Sequence, residues 1–386
     1  MINKQVMKKN KCLKKFEPLI FLIVFFMVFG ALGSKMGIPN MLNTLMNTSY
    51  QLLLETVFYI LAISVLSGAL GKILEEFGVV GILEKLLRPL MKPLWNLPGV
   101  AALGGVLTFL SDNPAIITLA KDKSFSKYFK KYQFISITNF GTSFGMGLVV
   151  IVFMMGKGYA GPALVGLVGA LFGSVVSTRI AQKLILRARP DFVADVVSKE
   201  DKALEGGHND DVKDDEGLLI RILNSLLDGG KSGVELGLAI IPGVLTISTF
   251  VMMFTFGPGE NGYTGAAYEG IGLLPALAEK VGFIFEWLFG FTHTELIAFP
   301  MTAMGAVGAA LGLVPTFQAS GLIDGNAIAV FTAMGMCWSG YLSTDTAMLD
   351  SLGYRELTPK TILAHTIGGL CAGIFAHWLF VVVNLF

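Results

Sequence analysis

Long apolar runs separated by short polar joints make up most of this chain. A bilayer core takes about 20 consecutive apolar residues. Nine runs approach that length: 17–37, 50–71, 99–121, 133–155, 158–184, 231–257, 292–314, 326–350 and 361–386. Two other segments, KILEEFGVVGILEKLLRPLMKPLWNLP (72–98) and GLLPALAEKVGFIFEWLFG (272–290), mix charges with leucines at three- and four-residue spacing. Each ends near a Trp, the pattern of a helix lying in the membrane interface. Each is followed by an apolar run with polar residues set into it, LTFLSDNPAII (107–117) in one half and GFTHTELIAFPMTA (290–303) in the other, and then by two further apolar runs. The order span, interfacial helix, broken stretch, span, span thus occurs twice. STDTAMLDSLG (343–353) also resembles SDNPAIITLAK (111–121), which would pair different elements. The element order is preferred because it satisfies loop charge as well.

Charge placement supplies the topology. Lys4, Lys8, Lys9, Lys11, Lys14 and Lys15 precede the first run and put the N-terminus in the cytoplasm by the positive-inside rule. A basic start, an apolar core and GALGS also fit a cleaved leader, but the length of the apolar part favours an uncleaved first helix. A full crossing at 99–121 would export the lysines of KDKSFSKYFKKY (121–132), whereas a re-entrant hairpin keeps them inside with Arg187 and Arg189. The turn is supplied by Ser111-Asp112-Asn113-Pro114: proline donates no backbone hydrogen bond, disfavours helix just before it, and Asp and Asn cap a following half-helix. A Pro-kinked continuous span is the competing reading. Non-helical backbone at membrane depth persists only against protein or a wet cavity, so such a tip faces a site.

The acidic stretch 186–230 is a solvated cytoplasmic linker. It separates a unit at 50–185 from one at 231–386, with the basic segment and first helix at 1–49. Because the first unit starts with a helix entering from outside and the second with one leaving the cytoplasm, the repeats are inverted, an architecture of secondary transporters. The expected fold is an all-α polytopic membrane protein with inverted-topology repeats, two re-entrant helical hairpins and two interfacial helices, in a bacterial inner membrane.

Composition agrees. The chain is 53% hydrophobic and 15% charged over 386 residues, with a mean hydropathy of +0.67, too apolar for a soluble domain of this size. A net charge of +1 gives no reason to expect nucleic acid. Cys12, Cys337 and Cys371 are far apart and form no thiolate metal site, and no metal or cofactor is expected. The 46 glycines indicate close helix contact; GAVGAALG (305–312) is one such small-residue face. Neither an HExxH nor a P-loop pattern is present, and a membrane hydrolase using Asp112 and Asp345 has no positioned nucleophile.

The doubled arrangement of interfacial helix and polar hairpin resembles the Gate nucleoside-recognition module of concentrative nucleoside transporters, ferrous-iron permeases and spore-maturation membrane proteins. HTELIAFP (293–300) is similar to the QTEAP-type hairpin of the nucleoside transporters, with His293 in place of Gln and Leu296-Ile297 in place of Ala-Pro. The resemblance covers roughly 50–386. It implies a transporter of a small polar solute, nucleoside or nucleobase, coupled to Na⁺ or H⁺, assembled as a homo-oligomer, a trimer. The spore-maturation relatives imply an alternative, a non-transporting module that works with a partner membrane protein.

Ionisable and polar groups at membrane depth are the site candidates. For solute these are Asp112, Asn113, His293, Thr294, Glu295, Asn139 and Ser143; for the coupling ion, Glu295, Asp112, Thr344 and Asp345. The second hairpin tip is placed at His293-Thr294-Glu295. Glu295 as a carboxylate holds a cation or a solute donor, and if desolvated it carries a proton. A plain capping role is the competing reading for Glu295 and for Asp112-Asn113. NFGTSFGMG (139–147) and SGYLSTDT (339–346) combine hydroxyls and amides with glycine, suiting an unwound stretch that binds an ion, or simple helix packing.

Overall fold

The computed structural model describes residues 2–121, 123–193 and 217–385, and their side chains from residue 16 onwards except at 114, 123 and 124. Most of the 186–230 linker therefore lies outside the described residues. Among the described residues the regular structure is all helical apart from one isolated Gly259–Gly262 bridge. Six helices are long and apolar enough to cross a membrane: Phe16–Met36, Ile38–Glu76, Lys131–Gly156, Ala160–Ala188, Leu218–Thr255 and Arg355–Val383. This is the all-α membrane fold that the apolar pattern predicts.

In chain order, α1 is Ile2–Met36 and α2 runs Ile38–Glu76 through one wide turn at Leu52–Val57. The amphipathic α3 covers 79–95 and exposes Ile82, Leu86, Leu90 and Leu94. Next come α4 (Ala101–Leu110) and α5 (Pro114–Lys121), then α6 (Lys131–Thr142) and α7 (Gly147–Gly156), then the unbroken α8 (Ala160–Ala188). The second series opens with α9 (Leu218–Thr255) and the amphipathic α10 (273–289). It continues with α11 (294–305) and α12 (Val307–Ala319), then α13 (Gly325–Trp338) and α14 (Tyr341–Ser351), and closes with α15 (Thr358–Val383). α9 begins at Leu218, well before 231, because LLIRILNSLL keeps its apolar residues at helical spacing. STDTAMLDSLG proves to be α14, the second half of a broken helix.

Both split stretches that follow an amphipathic helix turn back on themselves. A Cβ on Gly104 would meet Ile116 and Leu119 across the α4–α5 break, although residues 104 and 116 would be about 18 Å apart along a continuous helix. The Phe299 and Phe317 rings lie 4.1 and 6.3 Å from the Phe331 ring, although 18 residues of straight helix would separate them by about 27 Å. A merely kinked rod satisfies neither pair.

Corresponding helices of the two series pack antiparallel. On α2 and α9, Gly68 meets Gly229, Ser64 and Val65 meet Gly233, and Leu61 meets Gly237. On α8 and α15, Gly169 meets Ala376, Gly173 meets Ala372, and Ser177 meets Gly368. In each pair one number rises as the other falls. The glycines let backbones approach where lipid offers no hydrophobic drive for helix association, and the gain comes from close packing. Beyond α9, Glu269 fixes the 256–272 connection. Burial opposes its ionised form, but hydrogen bonds from the Thr264 hydroxyl and amide and the Gly265 amide outweigh it and hold the carboxyl below its ordinary range.

At Gly68 an added Cβ would run into the Gly229 carbonyl, so Gly68→Val is expected to separate α2 from α9 and lower stability by about 1–3 kcal/mol. Thermal unfolding in detergent reads this, with Gly161→Ala, which meets nothing within 4 Å, as the unchanged control.

Candidate functional site

Four interruptions of helix lie in the interior, and three of them are hydrogen-bonded to one another. At the α4–α5 break Ser111 leaves helical conformation and Pro114 starts α5 with its fixed φ, while the Asn113 side chain bonds across to Ser339 and does not cap α5. Between α6 and α7 the chain turns over residues 143–146 and ends on Met146 in the left-handed region, φ 56°. Between α13 and α14 both Ser339 (φ 37°) and Gly340 (φ 72°) are left-handed. Between α11 and α12 the break is one extended residue, Ala306.

The Asn113 amide donates to the Ser339 carbonyl (3.2 Å), and the Ser339 hydroxyl donates to the Gly145 carbonyl (3.0 Å). The Gly340 amide donates to the Ala303 carbonyl in the last turn of α11 (3.0 Å). The Ser343 and Thr344 hydroxyls turn back onto the Gly340 carbonyl (3.1 and 3.0 Å). Carbonyls and amides that the broken helices cannot pair internally are thus paired between breaks. Asn113 Oδ1 is buried without a hydrogen-bond partner.

A cavity of about 250 Å³ sits where the breaks meet, lined by Asp112 and Asn113, Met146, the run Gly305–Ala309, Ser339, Gly340, Ser343 and Thr344, and α9 residues including Ile240. A larger space of about 650 Å³ adjoins the 256–272 connection, Glu55 and Thr316. No helix break lines it, so the smaller cavity is the better candidate despite its size.

The sequence candidates divide accordingly. Asp112, Asn113 and Thr344 line the cavity. His293, Thr294 and Glu295 do not: they open α11 as its first turn, with Thr294 beside Gly282 of α10, while the second tip lies at Gly305-Ala306. The His-Thr-Glu run starts a helix, and the turn back comes only after α11 has completed its half of the hairpin. GAVGAALG, a small-residue packing face by its sequence, supplies that tip; its only signal is small residues, and its polarity is all backbone. Ser339, Gly340 and Ser343 join the site through the left-handed pair, which SGYLSTDT announces by Ser-Gly alone.

Asn139, Ser143 and Asp345 are fully buried behind the cavity. Asn139 donates to the Ser177 hydroxyl and to the Thr361 carbonyl. Asp345 accepts from Thr142 (3.1 Å) and meets His365 Nδ1 (3.0 Å). The surrounding residues spell a Gly-x-Ser-x-Gly pattern, Gly141-Thr142-Ser143-Phe144-Gly145, and Ser143, Asp345 and His365 follow one another as in a hydrolase triad. Two features set them apart from that chemistry. The carbonyl of Cys337 lies 2.7 Å from His365 Nε2, closer than Ser143 at 3.4 Å, so Nε2 carries a hydrogen and cannot accept one from the serine. The Ser143 hydroxyl donates to the Asn139 carbonyl, and no lining residue of the cavity belongs to the three.

Residues 53–158 match the Gate family, described as nucleoside recognition. The matched segment includes the Asp112-Asn113 tip and the α6–α7 break. Two solved structures of CNTnw, each carrying two substitutions and each in an outward-facing state, share the fold. One aligns over 86% of this chain and 80% of its own at 12% identity and a TM-score of 0.51; the other aligns over 97% and 87% at 11% identity and 0.52. At such identities the likeness is one of fold. No curated protein matches the sequence.

The Asn113 carboxamide lies flush against Gly145, where a Cβ would overlap it. Gly145→Ala is therefore expected to push Asn113 off Ser339 and loosen the cavity wall. Amide exchange over 339–344 should accelerate about tenfold, the equivalent of one lost hydrogen bond of about 1.4 kcal/mol.

Proposed function

We propose that the chain is a secondary transporter of a small polar solute, a nucleoside or nucleobase, coupled to Na⁺ or H⁺ in a bacterial inner membrane. The observation that carries this reading is the convergence of four helix breaks on one cavity between two oppositely directed series. Paired discontinuous segments meeting at a central site are what alternating access requires. At about 250 Å³ the cavity falls just under the usual small-molecule range of about 300–1,000 Å³, which favours a compact solute. Both hairpins are re-entrant in this reading, the N-terminus is cytoplasmic, and α3 and α10 lie in opposite interfaces. The Asp112 carboxyl on the cavity wall receives a donor group of the solute or holds the coupling cation, and Asn113 beside it fixes the tip through its bond to Ser339. The Gate match and the CNTnw fold support the solute class.

Uptake of labelled nucleosides and bases by liposomes containing the purified protein tests the assignment. Asp112→Asn and Asn113→Ala are expected to lower uptake about tenfold to a hundredfold, the loss of one or two hydrogen bonds to a charged or buried group. Glu295→Gln, at the hairpin's entrance, is expected to change uptake less than about threefold, as for a part-exposed surface charge. A silent wild type that needs a second membrane protein would replace this reading with that of a partner-dependent module. For the topology, a cysteine placed at Lys127 should react with impermeant reagent only from the cytoplasmic side; reaction from outside would make α4–α5 a crossing.

A further inference from the structure

Behind the cavity, Asp345 on α14 and His365 on α15 form a hydrogen-bonded pair in which both side chains have zero exposure. Their hydrogen-bond partners fix how many protons they hold. The Cys337 carbonyl can only accept, so His365 Nε2 bears a hydrogen. Nδ1 and the Asp345 carboxyl face each other at 3.0 Å, a separation that needs one proton between them, carried by either side. The other carboxyl oxygen accepts from the Thr142 hydroxyl. The pair therefore holds one exchangeable proton and is neutral as a unit. The titratable groups facing it are the Cys337 thiol of α13 and the Tyr341 phenol of α14, whose ring lies 5.0 Å from His365. α6, the turn after it and α8 contribute only the neutral Asn139, Thr142, Ser143 and Ser177.

Removing that proton would leave a carboxylate against the Nδ1 lone pair, a single unpaired charge shielded from solvent. A buried ion without its partner is strongly disfavoured, so the contact has to open, and with it the packing of α14 on α15. Ser343 and Thr344, in the same helical turn as Asp345, line the cavity. Loss of the proton and the shape of the cavity are thus mechanically joined.

We infer that the Asp345–His365 pair is the binding site of the coupling proton, loaded in this conformation and emptied only when α14 moves from α15. The inference rests on the transport reading for its role, but not for its chemistry. In liposomes supplied with uridine, an inside-alkaline pH gradient is expected to stimulate uptake by the wild type. Asp345→Asn and His365→Gln are expected to bring the ratio of uptake with the gradient to uptake without it down to about one. Stimulation that survives in folded variants overturns the inference. The second measurement needs no transport: infrared and ¹⁵N spectra of the Asp345 carboxyl and the His365 ring, on wild-type protein in lipid nanodiscs, over about pH 4 to 9, where these groups ordinarily titrate. A proton exchanged by the pair in that range, and absent in Asp345→Asn, sustains the inference even if uridine is not moved. Spectra constant across it make the pair a structural tie and overturn the inference even if transport is demonstrated.

Discussion

A helix that stops inside a buried apolar interior leaves amides and carbonyls with nowhere to go, and in this chain the stops satisfy each other. Asn113 reaches Ser339, Ser339 reaches Gly145, and Gly340 reaches Ala303, so three of these bonds join different interrupted segments. An unpaired backbone group in that setting costs several kcal/mol, which forces the breaks to lie together. The cavity is a consequence of that meeting. Left-handed Ser339 and Gly340 show where the geometry is tightest: a left-handed serine is tolerated because its hydroxyl and carbonyl are both engaged.

The meeting point needs a frame that holds two oppositely directed series in register, and the two glycine-lined pairs provide it. α2 with α9 and α8 with α15 each join a helix to its counterpart in the other series, and each pair runs antiparallel. Helices so close that no Cβ fits allow little independent sliding. The half-helix α13 joins the α8 seam, with Gly166 against the Ala329 carbonyl and Gly169 and Gly173 against Ala333 and Cys337, so the frame extends into one of the jointed segments.

How much of this the sequence reveals depends on whether a feature is written in side chains or in backbone. The element order, the doubled series and the first tip are legible, because apolar length, amphipathic spacing and Ser-Asp-Asn-Pro each carry their own physical cause. The second tip is not. Gly305-Ala306 turns the chain with the smallest side chains available, and the eye goes to the polar His293-Thr294-Glu295, which merely starts the helix. Depth misleads in the same way. Asn139, Ser143 and Asp345 sit beside the right breaks, but which face of a half-helix meets the cavity depends on tertiary packing that periodicity alone does not give. The partnership of Asp345 with His365, twenty residues along the chain, emerges only when α14 folds back on α15.

The two tips differ in a way the repeat does not demand. One presents a carboxyl and a carboxamide; the other presents Gly305, Ala306 and Val307, with nothing beyond methyl groups and backbone. A cavity with one polar wall and one small apolar wall suits a flat solute with hydrogen-bonding groups along one edge, since the bare wall lets a ring approach closely while the polar wall fixes its orientation. If the solute met two polar tips, both would have to be desolvated and matched on every passage. With one tip free of polar side chains, that hairpin would part from a proposed solute by breaking mainly dispersion contacts, individually worth a few tenths of a kcal/mol at most, besides any bond to its backbone. In the proposed transport reading, specificity and release would then fall to different hairpins, the polar side selecting the solute and the small-residue side governing how readily it leaves.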